Sequence, residues 1–212
     1  MDKYRIGVIV GSLSSTSINR RLAHALMKLA PETLEMSEIG FGDLPLYSQD
    51  FDADFPAPAR AWKQALADVD AVLFVTPEYN RSIPGGLKNA IDWATRPYGK
   101  NSFNRKPSAV IGASPGKIGT AIAQQHLRSL LSFCNSPQMN SPEAFIQYQK
   151  DMFDQDDTVA DEATAGFLHK FMAEYAGFIE RCFVVLPRRD GVDPCLAVRA
   201  GAQANGGAAA QK

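Results

Sequence analysis

Five hydroxyl side chains stand close together in one short loop, directly before a predicted helix. They occupy five of the six positions from Ser12 to Ser17, within the sequence Gly-Ser-Leu-Ser-Ser-Thr-Ser-Ile-Asn of residues 11–19. The start of a helix offers unpaired backbone N–H groups and the positive end of a dipole, and hydroxyls add neutral donors. The loop therefore favours a bound phosphate group. The alternative is that Ser17 only caps the helix, since Ser and Thr are preferred N-caps.

Two other kinds of phosphate loop can be excluded from the sequence. A dinucleotide-binding loop needs G-x-G-x-x-G after the first strand, but this loop contains only Gly11. A Walker loop needs G-x-x-x-x-G-K-[ST]. The nearest candidate, residues 112–118, is one residue too short and has no hydroxyl after Lys117.

The elements around the hydroxyl-rich loop form a strand, a loop and a helix. Residues Tyr4–Val10 are apolar and β-branched, which is typical of a buried parallel strand. After the loop, apolar side chains recur at helical spacing at Ile18, Leu22, Ala25 and Leu29, before Pro31. This segment is predicted to be an amphipathic helix.

The same alternation continues along the chain. Further strands are predicted over 33–38, 71–75, 107–113 and 137–140, and further helices around Trp62 and over 87–94, 123–134 and 167–183. Residues 150–162 are expected to be irregular. Regular alternation predicts an α/β fold with a parallel sheet between two helical layers. Five such units fit the doubly wound order 2-1-3-4-5, in which ligands bind outside the carboxyl ends of strands one and three.

The composition of the chain indicates its domain organisation and the kinds of binding partner to expect. Residues 1–186 are expected to form one domain, whereas 187–212 are rich in Gly, Ala and Gln and are predicted to be a disordered tail. The net charge of −1 gives no reason to expect nucleic acid or a membrane as partner. The first residues do not resemble a signal peptide and no apolar run could span a bilayer, so we expect a cytoplasmic protein.

The cysteines and histidines do not suggest a metal site or disulfides. Cys134 and Cys182 are expected to be buried thiols and Cys195 to lie in the tail, because no C-x-x-C pair occurs. The histidines His24, His126 and His169 lie in predicted helices without the spacing of metal ligands. We therefore predict no metal.

A second loop carries the most specific motifs. Residues 76–93 contain Pro-Glu-Tyr-Asn at 77–80 and Pro-Gly-Gly-Leu-Lys-Asn-Ala-Ile-Asp-Trp at 84–93. Together with the hydroxyl-rich loop, in this order and at this separation, they resemble the NAD(P)H-dependent FMN reductase family, which includes bacterial chromate and quinone reductases. The resemblance covers about residues 4–184. It implies a flavodoxin-like fold, FMN as cofactor, and NADPH or NADH as electron donor.

The resemblance also assigns roles to residues of three loops. It places the FMN phosphate at Ser12, Ser14, Ser17, Ile18 and Asn19, the isoalloxazine edge at Pro77, Glu78, Tyr79 and Asn80, and the pyrimidine end at Ser114 and Gly116. Two positions depart from the family pattern. Ser14 stands where many members have arginine, so a cationic contact with the phosphate is missing. Thr120 stands where many have glycine and is expected to narrow the approach to the ring.

The function implied by the resemblance is electron transfer from NAD(P)H to a small acceptor such as a flavin, a quinone, chromate or an azo compound. No catalytic acid or base is assigned, because the flavin carries the redox chemistry. A flavodoxin-type electron carrier and a non-enzymatic FMN-binding module remain alternatives.

Arg81 directly follows the flavin loop. Our hypothesis is that it contacts the nicotinamide nucleotide or an anionic acceptor, the alternative being an ion pair at the surface or at a subunit interface. The family resemblance further implies a homodimer or homotetramer.

Overall fold

The computed structural model describes residues 3–186, which form a five-stranded parallel sheet with helices on both faces. The elements in chain order are β1 (Tyr4–Val10), α1 (Ile18–Leu29), β2 (Leu34–Glu38), α2 (Ala57–Ala67), β3 (Ala71–Val75), α3 (Gly85–Thr95), β4 (Ser108–Ser114), α4 (Ala121–Phe133), β5 (Phe145–Gln147) and α5 (Glu162–Val185). The sheet order is β2-β1-β3-β4-β5, with every pairing parallel. The predicted doubly wound, flavodoxin-like fold is confirmed. The predicted tail, residues 187–212, lies outside the described residues.

The central strands are buried on both faces, because helices cover the sheet from either side. Successive side chains of a strand point to opposite faces. Val8 and Leu73 pack with α1 and α5 in one core, and Ile9 and Phe74 pack with α2, α3 and α4 in the other. All five residues of β3 are buried, which explains the continuous apolar run in the sequence.

The long aromatic-rich helix α5 is part of the first core, as its periodicity predicts. Phe171, Tyr175 and Ile179 are fully buried on its inner face. The Tyr175 hydroxyl donates a 2.7 Å hydrogen bond to the carbonyl of Val72, so its polar end is paired inside the core. No helix within residues 3–186 has the length and apolar character needed to cross a membrane.

The position predicted for the fifth strand is wrong. Residues 137–140 make only an isolated bridge, between Ser108 and Gln138, and β5 begins at Phe145, beside Gly112, Ala113 and Ser114. Pro137 begins this stretch and Pro142 follows it, and both lack the N–H group that a strand ladder needs. The observed β5 buries only Ile146 of its three residues, so it carries little apolar signal.

The two described cysteines are buried free thiols, as predicted. Burial raises the pKa of Cys134 to about 11, so this thiol is protonated and unreactive near neutral pH. Cys195 lies outside the described residues.

Candidate functional site

Two adjoining cavities lie at the carboxyl ends of β1, β3 and β4, where the doubly wound topology predicts a ligand site. The first has a volume of about 250 Å³ and the second about 260 Å³, and they share Glu78 and Ser114. The first is lined by nine of the residues singled out in the sequence: Ser12, Ser14, Ser17, Ile18, Asn19, Pro77, Glu78, Tyr79 and Ser114. The second adds Asn80, Arg81 and Gly116. Thr16 and Pro115, which also line the first cavity, were not singled out.

The hydroxyl-rich loop runs into the N-terminus of α1. Ser17 is the N-cap, and its Oγ accepts a 3.2 Å hydrogen bond from the N–H of Arg20. Within residues 3–186, no acceptor pairs with the backbone N–H groups of Ile18 and Asn19. One hydroxyl therefore caps the helix, and two further N–H groups of its first turn remain to bind an anion.

The other hydroxyls give the loop its shape. The Ser12 Oγ accepts from the N–H of Ser14, and the Ser14 Oγ accepts from the N–H of Thr16, both at 3.3 Å. The Ser12 hydroxyl keeps its own proton for a ligand, whereas the Ser14 Oγ and the Thr16 Oγ1 share a 3.2 Å hydrogen bond in which either atom can be the donor.

Asn19 has a different role in this loop from its neighbours. Its side chain is buried, and its amide makes two 2.9 Å hydrogen bonds with the backbone of Ala113, donating to the carbonyl and accepting from the N–H. The side chain therefore ties α1 to β4. The backbone N–H of Asn19 has no partner among residues 3–186 and is available to a ligand in the cavity.

The second loop contains a tight turn at residues 79–82. Tyr79 and Ser82 exchange two backbone hydrogen bonds, of 2.9 and 3.0 Å, around Asn80 and Arg81. Both central residues have positive φ, 51° and 61°, which is the geometry of a type I′ turn. Asn tolerates this conformation well, whereas for arginine it is strained, and strained residues cluster at functional sites. The turn leaves Tyr79 and Arg81 exposed beside the cavities.

Glu78 joins this loop to helix α4. Its Oε2 accepts hydrogen bonds from the N–H groups of Ile122 (3.0 Å) and Ala123 (3.1 Å), and its Oε1 lies 3.2 Å from Arg81. The carboxylate thus caps the first turn of α4, where the helix dipole favours a negative charge. Its side chain is only 7% exposed. Sequence reasoning missed this cap because donor and acceptor are more than 40 residues apart.

Thr120 does not narrow the site, so that expectation is wrong. Although it is the N-cap residue of α4, it makes no side-chain cap bond and is fully buried. Its Oγ1 instead accepts a 3.0 Å hydrogen bond from Gln124, and the residue lines neither cavity.

The third loop requires glycine at one position. Gly119 has a φ of +58°, and a Cβ there would lie 2.9 Å from the carbonyl carbon of Phe145 at the start of β5. Nearer the cavities, the Ser114 Oγ accepts a 3.2 Å hydrogen bond from the N–H of Gly116. The loop is thereby folded tightly against the sheet edge, with Ser114 on the boundary of both cavities.

The residues of the first cavity fit the phosphate of FMN. Two unpaired N–H groups at the start of α1 and a row of hydroxyls supply donors. Among residues 3–186, the one acidic side chain that lines the cavity is Glu78, which is occupied by the cap of α4. Pro77 and Tyr79 provide a surface for a flat ring next to these donors. A doubly wound sheet with this site defines the class of FMN-binding flavoproteins.

Comparison with known proteins gives the family. Residues 4–151 match the model of the NADPH-dependent FMN reductase family, and the chain belongs to this family. It is 50% identical over 175 residues to a 2-hydroxy-1,4-benzoquinone reductase of a Burkholderia species, covering 82% of this chain and 96% of that protein. It is 44% identical over 180 residues to a quinone reductase of Pseudomonas putida, covering 84% and 95% of the two chains.

A solved structure agrees with these relatives. The chain superposes with a TM-score of 0.81 on a flavoenzyme NAD(P)H:(acceptor) oxidoreductase from Paracoccus denitrificans, with 47% identity and coverage of 84% of this chain and 98% of that one. The protein is therefore an FMN-dependent oxidoreductase that uses NAD(P)H, as the sequence motifs predicted, and the reading as an electron carrier is not supported.

Proposed function

We propose that this enzyme reduces small quinones with electrons from NADPH or NADH, through FMN held in the first cavity. The observation that carries the proposal is the pair of unpaired N–H groups, of Ile18 and Asn19, that faces a hydroxyl-lined cavity at the sheet's carboxyl edge. Quinones are favoured as acceptors because relatives that are 44–50% identical are quinone reductases.

The residues of the chain bind and orient in this reaction. When bound, FMN supplies the redox chemistry, accepting a hydride from the nicotinamide and passing electrons to the acceptor. The start of α1 and the hydroxyls of Ser12, Ser14 and Ser17 would hold the phosphate, and the strained turn would place Tyr79 and Asn80 at the ring. Ser114 and Gly116 would lie at its other end.

Arg81 is proposed to contact the nicotinamide nucleotide or an anionic acceptor in the second cavity. Its side chain is 67% exposed, lines the second cavity and pairs with Glu78 through one nitrogen, so its other donors are not used by this ion pair. The Arg81 end of this pair is exposed to water, which screens the interaction, so the pair contributes little to stability. The ion pair can therefore be exchanged for a ligand at small cost.

The family resemblance supports an oligomer, and the sequence supports a location in the cytoplasm. We propose a homodimer or homotetramer in the cytoplasm. Leu13, Tyr79 and Ile118 are large apolar side chains that stand exposed around the site, and a second subunit would shield them and the flavin from water. Light scattering of the purified protein measures the mass directly, and a monomer would contradict this part of the proposal.

The first experiment is a visible spectrum of the protein after FMN is added and the excess is removed. We expect a retained flavin band that bleaches on anaerobic addition of NADPH or NADH and returns when a benzoquinone is added. Failure to retain FMN would contradict the assignment of the first cavity. Bleaching that a quinone does not reverse, while chromate, an azo compound or free flavin does, would move the acceptor to that class.

The role of Arg81 is tested separately by Arg81→Ala. We expect a raised KM for NADPH or for the acceptor, with the amount of bound flavin unchanged. Unchanged KM values for both would contradict the proposal. Arg60→Ala is a suitable control, because Arg60 also forms an ion pair with a carboxylate at the surface, that of Asp54, and lines neither cavity.

A further inference from the structure

Arg20 reaches back from the first turn of α1 to the outside of the hydroxyl-rich loop. Its Nη1 donates a 2.9 Å hydrogen bond to the carbonyl of Ser14, and its Nη2 donates a 3.2 Å bond to the carbonyl of Ser12. One planar guanidinium thus holds two loop carbonyls. Arg20 does not itself line the cavity.

The orientation of these carbonyls matters for an anion. A carbonyl oxygen carries partial negative charge and would repel a phosphate, whereas the N–H groups of the same loop attract it. Because Arg20 draws the carbonyls of Ser12 and Ser14 outward, the loop keeps a donor-rich inner surface. The positive charge of the guanidinium also lies within one turn of the helix N-terminus, where it adds to the attraction.

The guanidinium is in turn oriented by the end of β2. Its Nε donates a 3.2 Å hydrogen bond to Oε1 of Glu38, whose Oε2 lies 3.9 Å from Nε2 of His24. Arg20 therefore has three fixed partners: two loop carbonyls and one carboxylate. Lysine cannot reproduce this planar arrangement of donors.

We propose that Arg20 is a positioning residue that shapes the phosphate loop and gives this enzyme its preference for phosphorylated flavin. The proposal rests on the proposed function, since it requires FMN in the first cavity.

The test compares FMN with riboflavin, which carries the same ring but no phosphate. Both are titrated against the full-length, flavin-free wild type and against Arg20→Gln, Arg20→Lys and Arg21→Gln. Arg21→Gln is the matched control. It removes the same charge from the adjacent position of α1. The side chain of Arg21, however, bonds to Asp157 and to the carbonyl of Phe153, and makes no hydrogen bond to the loop.

We expect Arg20→Gln and Arg20→Lys to raise the Kd of FMN by about tenfold, the size expected from losing a hydrogen bond to a charged group. The Kd of riboflavin should change by less than about twofold, and Arg21→Gln should leave both values near those of the wild type. An equal loss of affinity for both flavins would mean a general structural role and would overturn the proposal.

Other outcomes of the titrations also decide between these explanations. Wild-type affinity in Arg20→Lys, or a loss of FMN affinity in Arg21→Gln as large as in Arg20→Gln, would show that charge alone matters and that positioning does not. If the wild type binds no FMN, the proposed function fails first. If the wild type binds FMN and Arg20→Gln binds it equally well, this inference alone fails.

Discussion

The side-chain amide of Asn19 and the backbone of Ala113 are joined by two hydrogen bonds of 2.9 Å across the carboxyl edge of the sheet. One residue belongs to the first turn of α1 and the other to the end of β4. The hydroxyl-rich loop and the third loop are therefore fixed to each other independently of any ligand. Both partners are buried, so neither can exchange the bond for water.

Asn19→Ala is expected to destabilise the protein even without flavin. The substitution leaves the N–H and the carbonyl of Ala113 buried and unpaired, which costs about 2–4 kcal/mol for the two groups. Urea unfolding of the flavin-free protein measures the loss. Ser14→Ala is the control: its hydroxyl is exposed, so the unfolding free energy should change by less than about 0.5 kcal/mol. Equal stability of Asn19→Ala and the wild type would contradict this view of the contact.

Local sequence patterns were enough to predict the strand, loop and helix around residues 4–29, because the apolar periodicity and the hydroxyl cluster are properties of neighbouring residues. The role of the Asn19 side chain could not be predicted, since its partner lies 94 residues away. The same limit applies to Thr120. This residue is expected from the sequence to narrow the approach to the ring, but its hydroxyl accepts a hydrogen bond from Gln124 in the interior, while Glu78, from a distant loop, caps α4.

Glu78→Gln is expected to lower stability by about 1 kcal/mol, because a neutral amide at the start of α4 loses the favourable interaction with the helix dipole. Arg81→Ala removes the ion pair but leaves the cap in place, so its effect on stability should stay below about 0.5 kcal/mol. Thermal or urea unfolding of both variants separates the two functions of the carboxylate. If Arg81→Ala lowers the free energy of unfolding more than Glu78→Gln does, the ion pair contributes more to stability than the cap, which would contradict this prediction.

Gly112→Ala is expected to disrupt the sheet next to the site. A Cβ on this β4 residue would lie 2.1 Å from the backbone carbonyl oxygen of Thr76 and 2.3 Å from Oγ1 of Thr120. Because one of these atoms belongs to the backbone, the strands must move apart, at a cost of about 3 kcal/mol or more.

Gly166→Ala in α5 is the control for this prediction. A Cβ there meets nothing within 4 Å, so the exchange should stabilise the helix by about 0.5–1 kcal/mol. Yields of folded protein and urea midpoints measure both variants. A Gly112→Ala protein as stable as the wild type would show that the close approach of β3 and β4 is not required.

Asp157 is expected to make stability depend on pH in the acid range. It accepts hydrogen bonds from Arg21 (2.5 Å) and pairs with Nδ1 of His24 (2.8 Å), which fastens the irregular segment after β5 to α1. Burial acts to raise the pKa of Asp157, but the hydrogen bonds from Arg21 and His24 outweigh it, so the pKa lies below its ordinary value. A lowered pKa in the folded state means that the charged form stabilises the fold above the unfolded pKa, near 4, and that this contribution is lost as the pH falls.

Asp157→Asn should therefore be less stable than the wild type at pH 7, by about 1 kcal/mol, and the difference should shrink as unfolding is measured at successively lower pH below about 4. Asn also tolerates the positive φ of 59° at this position, so the comparison is not confounded by backbone strain. Asp54→Asn, at a side chain that is 80% exposed, should show no such convergence. A constant difference between Asp157→Asn and the wild type at all pH values would mean that the carboxylate stabilises the fold through its shape and not through its charge.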